Sequence, residues 1–441
     1  MEQTPKKEKI EVQLLDHDIQ IGKDILELVT SAMYISPLTI YREYIQNSSD
    51  AIELAQKQKI LNNISEGRID ININTTERIL KIRDNGIGIN KEEFSKILTS
   101  FGNSPKRGTN ARGFRGIGRL AGLAYCQELI FRSSSNKDNV ISEISWDCRK
   151  LKEKLLNAED TSNLNEIVKS VITLNQYEKK DFPEHFFEIE LKKIIRLKND
   201  ILLNVKEVNN YIAETGPVPF DPKFFLCKNI SNFLDENLDI KKHNIFLNNS
   251  DEPIYKTFKN KFKFSSKIED SIESVEPIKI YNSDNELVTA GFILHHNYLG
   301  AISKKTRITG IRVRCGNIQI GENNLFEELF QESRFNAWCI VELHVVNEKI
   351  KPNGRRDDFE RSNQYYNFIN HISPIAKRIS DKCRKSSSER NQKEIVEHKE
   401  FLDKKKEKAF LSMVNRIKKI IQNNEDLIKI KKVIKDEINK I

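Results

Sequence analysis

Nowhere in these 441 residues does an apolar run approach the ~20 residues that a membrane-spanning helix requires, so the sequence does not read as a helical membrane protein. The opening residues, MEQTPKKEKIEV, are charged and hold no apolar segment that could act as a secretion signal, which makes the cytoplasm the expected location. Paired cysteines are missing as well. Cys126, Cys148, Cys227, Cys315, Cys339 and Cys383 lie far apart, with no C-x-x-C pair and no histidine at zinc-finger spacing. They read as reduced, mostly buried thiols rather than metal ligands or a disulfide framework. Neither sign of charge dominates: 73 Lys and Arg against 64 Asp and Glu leave +9, much of it after residue 380. So mild an excess does not by itself call for a nucleic-acid partner. No internal repeat is present.

What is present suits a globular chain of two to three domains at about 150 residues each. Residues 23–61 have helical patterning in two pieces, broken near Ser36 and Pro37. RIDININ (68–74) and RILKIRD (78–84) alternate apolar and polar residues around TTE, the pattern of a β-hairpin with one covered face. Strand patterning returns at QELIFRS, VISEISW and FFEIELKKI, with a charged segment expected to be helical between Cys148 and Phe182. These elements predict helices packed on one face of a mainly antiparallel sheet. A helical connector ending at Gly216, Pro217 and Pro219 leads to a second run of strands: PIKIYNS, LVTAGFILHHNYLG, TGIRVRCGNIQIG and WCIVELHVVN, with LFEELFQES expected as a helix. The tail is helical and charged, with Ser386–Ser388 read as a linker. Its stripe of Leu427, Ile430, Val433, Ile434, Ile438 and Ile441 suits either a coiled-coil seam or a face docked on its own domain.

Three stretches carry chemistry. In REYIQNSSDA (42–51), helical spacing puts Glu43, Asn47 and Asp50 on one face, with Tyr44, Ile45, Ala51 and Leu54 as apolar contacts; a lone E-x-x-x-N is also the pattern of a solvated face. In IRDNGIGI (82–89), a strand ends in Asp84 and runs into Gly86 and Gly88. Glycine lets backbone approach a flat ligand, and Asp84 can accept from an exocyclic amine; the same D-x-G-x-G also makes a common hairpin turn. In FGNSPKRGTNARGFRGIGRLAG (101–122), Lys106, Arg107, Arg112, Arg115 and Arg119 occur with no acid among them. There Gly113, Gly116 and Gly118 are expected to open a helix whose N-terminal N–H groups favour phosphate.

In this order and spacing the three stretches resemble the nucleotide unit of the GHKL ATPases, the family of gyrase, the ninety-kilodalton heat-shock chaperones, mismatch-repair clamps and sensor histidine kinases, over about residues 20–195. The resemblance implies an α+β protein. A Bergerat α/β sandwich binding ATP would fill 1–200, with an insertion at about 149–182, followed by a connector at 201–239. A second α/β domain of ribosomal S5-like type, the transducer or middle domain, would fill 240–380, and a charged helical tail 381–441. It also implies roles. Asn47 would hold Mg²⁺, Glu43 would act as the base for the attacking water, and Asp50 would support the helix. Asp84, Gly86 and Gly88 would receive adenine, while Asn103, Lys106, Gly113, Gly116, Ile117 and Gly118 would line the phosphates. KIKPNGRRDDFE (349–360) resembles the catalytic loop of the chaperone branch, with Asn353 and Arg356 at the matching positions and Arg355 as the rival for the γ-phosphate.

The departures are specific. Phe186-Phe187 stands where the chaperones carry Gly-Thr, Arg119 stands where an aromatic follows the last lid glycine, and GFRG is closer to the mismatch-repair clamps. The charged tail occupies the place of the chaperones' dimerisation domain. The expectation is therefore a divergent, chaperone-like, Mg²⁺-dependent ATPase: a conformational switch with a closing lid, ATP-driven homodimerisation and a protein client or effector. The alternative is a DNA-associated clamp of the mismatch-repair or microrchidia kind, serving prokaryotic defence against phage. A sensor kinase is disfavoured because His17 is the only histidine ahead of the nucleotide unit.

Overall fold

The computed structural model describes residues 36–100, 118–157, 159–160, 162–180, 182–263, 268–419 and 424–438. Helix α1 (Thr39–Lys57) is followed by the hairpin β1 (Arg68–Asn74) and β2 (Ile79–Asp84), then α2 (Lys91–Thr99). After a 3-10 helix at Gly118–Ala124 come β3 (Glu128–Ser134), β4 (Val140–Asp147), α3 (Cys148–Leu156), α4 (Leu164–Val171), β5 (Ile172–Glu178) and β6 (Phe186–Lys192). The order in the first sheet is β5-β4-β3-β6-β2-β1-β7, antiparallel except that β7 (Asn244–Leu247) runs parallel to β1.

Alternation along the hairpin decides which way the sheet faces. Ile69, Ile71, Ile73, Leu80 and Ile82 point under α1 into one core, and the same period puts Asp84 on that buried side. The opposite face is a charge ladder, where Arg132 donates to Glu143 (2.7 Å), Glu188 (2.9 Å) and Glu190 (2.6 Å), and Arg83 donates to Glu188. The segment expected to be helical between Cys148 and Phe182 does form α3 and α4, but residues 172–178 add β5 at the sheet edge. β5 is exposed at nearly every position, so it carries no two-fold alternation by which it could be recognised.

The second sheet has the order β10-β11-β14-β12-β13, built from β10 (Ser274–Tyr281), β11 (Leu287–His295), β12 (Gly310–Cys315), β13 (Ile318–Ile320) and β14 (Ile340–Val345). A separate short pair, β8 (Lys261–Lys263) and β9 (Glu269–Ser271), precedes it. Helix α5 (Val205–Thr215) packs on α1, whereas α6 (Cys227–Asn237) covers one face of the second sheet with Phe220, Phe258 and Phe292 beneath it. The other face is covered by the first part of α7 (Asn363–Lys418), through Phe368, Ile372, Ala376 and Ile379. Between these two layers the chain returns to the first sheet as β7, so it passes between the two units three times. LFEELFQES forms 3-10 turns rather than an α-helix. Ser386–Ser388 is no linker. α7 runs straight through it, and the Ser386 hydroxyl donates to the carbonyls of Asn297 and Tyr298. Helix α8 (Asn424–Ile438) then folds back on the far end of α7, with Ile430 and Ile434 half-buried.

A buried charge cluster ties the second sheet to α5. Arg314 donates to Glu342 (2.7 Å) and to the carbonyls of Glu214 (2.5 Å) and Gly216 (3.1 Å), which caps the end of α5. Lys256 donates to the other oxygen of Glu342 at 2.9 Å. Burial would raise the Glu342 carboxyl, but Arg314 and Lys256 hold it well below the usual carboxylate range. Burial pushes His344 down to about 4; its Nε2 lies 3.1 Å from Glu342 and its Nδ1 has no partner among the described residues. Because the folded pKa lies below the unfolded value near 6.5, the unfolded chain binds the proton first as the pH falls, and stability drops between those two values. Urea unfolding should lose roughly 2–3 kcal/mol from about pH 6.5 to about pH 4, and His344→Gln should remove most of that slope.

Candidate functional site

Helix α1 is buried on nearly every side, including its charged residues: Arg42 and Glu43 are each 7% exposed. Pro37 lies just ahead of the first turn, where its lack of an N–H costs nothing. Glu43, Asn47 and Asp50 do share one face, the latter two half-buried. Leu54, expected among the apolar contacts, is exposed instead.

Three glycines let neighbouring backbone close on this helix. A Cβ on Gly118 would lie 2.5 Å from Glu43 Oε2, and one on Gly86 would lie 2.6 Å from the Ala51 Cβ. Gly122 donates its N–H to the Tyr44 hydroxyl at 2.8 Å, which pins the 3-10 helix to α1. The expectation of a longer helix opened by the lid glycines is corrected here: the described part is a seven-residue 3-10 helix, Gly118–Ala124. Asn103, Lys106, Gly113, Gly116 and Ile117 lie outside the described residues. Arg119 donates to the Ser100 carbonyl, and burial pushes its pKa down to about 10.

At the end of β2, Asp84 is 2% exposed and its Oδ1 accepts the Gly86 N–H at 2.9 Å. The Ile87 N–H donates to the Ala51 carbonyl (3.1 Å), so the D-x-G-x-G turn is fastened to the helical turn that carries Asp50. Gly88 has φ +69°, a left-handed conformation that suits glycine, and lies against the Ser134 carbonyl. His185 Nδ1 is 2.8 Å from the Gly86 carbonyl and holds the turn from the other side. Phe187 lies directly opposite Asp84 in the β2–β6 register and is half-buried on the helix-facing side. An aromatic ring thus flanks Asp84 where the chaperones' pattern has a hydroxyl.

The second unit reaches the same place. Its loop after β14 folds into a turn closed by Asn353 N–H to the Asp358 carbonyl (2.9 Å) and by a bridge between Pro352 and Phe359. At its tip Arg356 adopts φ +57°, unusual for a side chain of that size, and its carbonyl accepts from Gly321 N–H at 2.9 Å. The Arg356 Nε lies 3.9 Å from Glu43 Oε1. Arg42 closes the arrangement by donating to the Arg355 carbonyl (2.8 Å) and the Arg356 carbonyl (3.3 Å), with its Nη2 3.5 Å from Glu43 Oε1. Arg356 therefore faces Glu43, while Arg355 is exposed. Arg42 and His185 did not stand out in the sequence, which marks Tyr44 only as an apolar contact and not for its hydroxyl. Neighbours on a helix point in different directions, and their partners lie far away along the chain.

The arrangement gathers a carboxylate between two guanidinium groups, an amide one turn away, and a second carboxylate beside a glycine turn and a ring. Among the described residues no three His, Cys, Asp or Glu side chains form a metal cage. The Asn47 amide oxygen suits a hard cation that takes its remaining ligands from phosphate and water. No helix among the described residues is long and apolar enough to cross a membrane.

Comparison with known proteins places relatives along the first unit. Residues 35–178 match the family described as histidine kinase-, DNA gyrase B-, and HSP90-like ATPase. The chain is similar to the chaperone protein HtpG of Orientia tsutsugamushi (strain Boryong), 28% identical over 135 residues that cover 27% of this chain and 21% of that protein. It is similar also to the HtpG of Buchnera aphidicola subsp. Acyrthosiphon pisum (strain APS), 36% identical over 94 residues, covering 20% of this chain and 15% of the relative. The chain thus spans only 15% to 21% of the length of these relatives.

The glycine contacts make a direct test. Gly88→Ala meets a carbonyl that cannot move aside and should cost about 2–4 kcal/mol in urea unfolding, whereas Gly118→Ala meets the end of a flexible carboxylate and should cost about 1 kcal/mol.

Proposed function

We propose, from the premise that residues 35–178 are an ATPase domain of a divergent HSP90-like kind, that this chain binds and hydrolyses ATP and uses the cycle to switch conformation on behalf of a protein client. The observation that carries the reading is the convergence of Glu43 and Arg356, from two separate units, at 3.9 Å. A basic surface turn would have no reason to bury its arginine against the carboxylate of a nucleotide helix.

In this reading Asp84 accepts the exocyclic amine of adenine, the ring of Phe187 lies along the base, and the glycine turn allows both to approach. Asn47 would hold Mg²⁺, which when bound draws charge from the phosphates. Glu43 takes a proton from the attacking water as that water's oxygen bonds to the γ-phosphorus and the bond to the β–γ bridging oxygen breaks, leaving ADP and phosphate. Arg356 donates to the γ-phosphate oxygens as charge builds there. Arg42 and Arg356 both lie against Glu43. A γ-phosphate competes for Arg356 and draws it from Glu43, so occupancy changes what surrounds that carboxylate. Asp50 would support the helix, and Asn103, Lys106, Gly113, Gly116, Ile117 and Gly118 would line the phosphates.

Steady-state ATP turnover tests this. Glu43→Ala should lower kcat by on the order of 10²–10⁴, and Arg356→Ala by on the order of 10², with nucleotide affinity largely retained in both. Asp84→Asn should instead lose binding. Normal hydrolysis in the first two variants would end the reading.

A further inference from the structure

We infer that the C-terminal helices pair with those of a second copy of this chain in antiparallel fashion, each copy's α7–α8 hairpin lying on the bare shaft of the other. The inference does not rest on the nucleotide reading.

The first part of α7 is anchored to the second unit. Arg384 donates to Glu332 (3.1 Å), and Arg390 to the Tyr298 carbonyl (2.9 Å). Beyond Arg390 the anchoring stops. Every residue from 391 to 405 is exposed, and among them are Ile395 (56%), Val396 (54%), Phe401 (63%) and Leu402 (40%). Further along, α8 folds back and buries Val414 to 6% exposure. The molecule therefore carries a shaft with no packing partner of its own among the described residues, followed by a two-helix hairpin. A single helix of that length is marginal in water without a packed face, and four large apolar side chains are a poor solvated surface.

Charge identifies the occupant and its direction. From Glu389 to Asp403 there are five acids and three basic residues; from Lys404 to Lys419 there are seven basic residues and one acid. α8 is balanced, with four of each. Parallel pairing would lay basic hairpin on basic hairpin. Antiparallel pairing lays the basic hairpin of each copy on the acidic shaft of the other, twice per dimer.

Geometry agrees with that direction. At about 100° per residue, Ile395, Leu402 and Met413 fall within about 20° of one line on the helix. Met413 is 48% exposed, so α8 leaves that line open. A two-fold axis at Lys404 sets Ile395 opposite Met413, Glu400 opposite Lys408, and Asp403 opposite Lys405. Such a dimer separates the two main bodies by about 40 Å of helix, so each copy completes its own Glu43 site with its own Arg356.

Sedimentation equilibrium of the full chain at micromolar concentration tests this. The expected result is twice 51.3 kDa, with a dissociation constant that rises at least about tenfold as salt increases, because the pairing is attractive. Ile395→Lys combined with Leu402→Lys should give a monomer that loses no more helical circular dichroism than the shaft residues 391–405 contribute. Reversing the acids (E397K, E400K, D403K) and reversing the bases (K404E, K405E, K408E) should each abolish self-association, and mixing the two proteins should restore a dimer. The inference is overturned by a monomeric wild type, by a dimer that tightens with salt as a parallel pair would, or by a dimer indifferent to these substitutions. It is equally overturned if the wild-type chain stays monomeric and shifts duplex DNA in a manner lost on reversing the bases.

Discussion

The structure depends on how Arg42 and Glu43 are kept out of water. Both lie on a helix packed against the first sheet, the 3-10 helix at Gly118–Ala124 and α5, and a buried charge persists only when it is paired and hydrogen-bonded. Arg42 finds its partners in the carboxylate beside it and in two carbonyls more than three hundred residues along the chain. The second unit thus shares in satisfying the central helix of the first. Gln46, one turn on from Arg42, is 1% exposed with neither side-chain polar atom bonded within the described residues, so polarity continues along this buried seam. A contact of this kind holds the loop bearing Arg356 in place and also makes the seam sensitive to whatever charge arrives at Glu43.

The connector reinforces the coupling. Glu214, near the end of α5, receives Arg307 and Arg312, while Arg314 caps the same helix and is itself anchored on Glu342. α5 packs on α1, so the second sheet is coupled to α1 through packed helix and ion pairs rather than through a slack linker. The return of the chain as β7 to the first sheet has the same effect, because the two units cannot separate without breaking a strand pair.

Much of the fold was legible in the sequence wherever one face of an element is wet and the other dry. The β1–β2 hairpin, α1 and the strands of the second sheet alternate or repeat at the spacing their burial demands. The failures have the opposite character. β5 is wet on both faces and β7 is only four residues long, so neither imprints a period. Ser386–Ser388 has the composition of a linker, yet the Ser386 hydroxyl meets carbonyls of a neighbouring strand connection and the helix continues. Propensity is a weak prior that tertiary contacts override.

The composition of the candidate site was written in local patterns: a helical turn separates Glu43 from Asn47, and a strand that ends in aspartate before two glycines places a carboxylate at a turn close enough for backbone to approach. Such patterns act over a few residues, and periodicity is enough to reveal them. Which arginine of the 355–356 pair faces Glu43, that Arg42 joins the two units, and that Phe187 lies across from Asp84 were decided by register and docking between segments remote along the chain. No local spacing encodes those distances; they follow from the way the two units and the connector between them exclude water together.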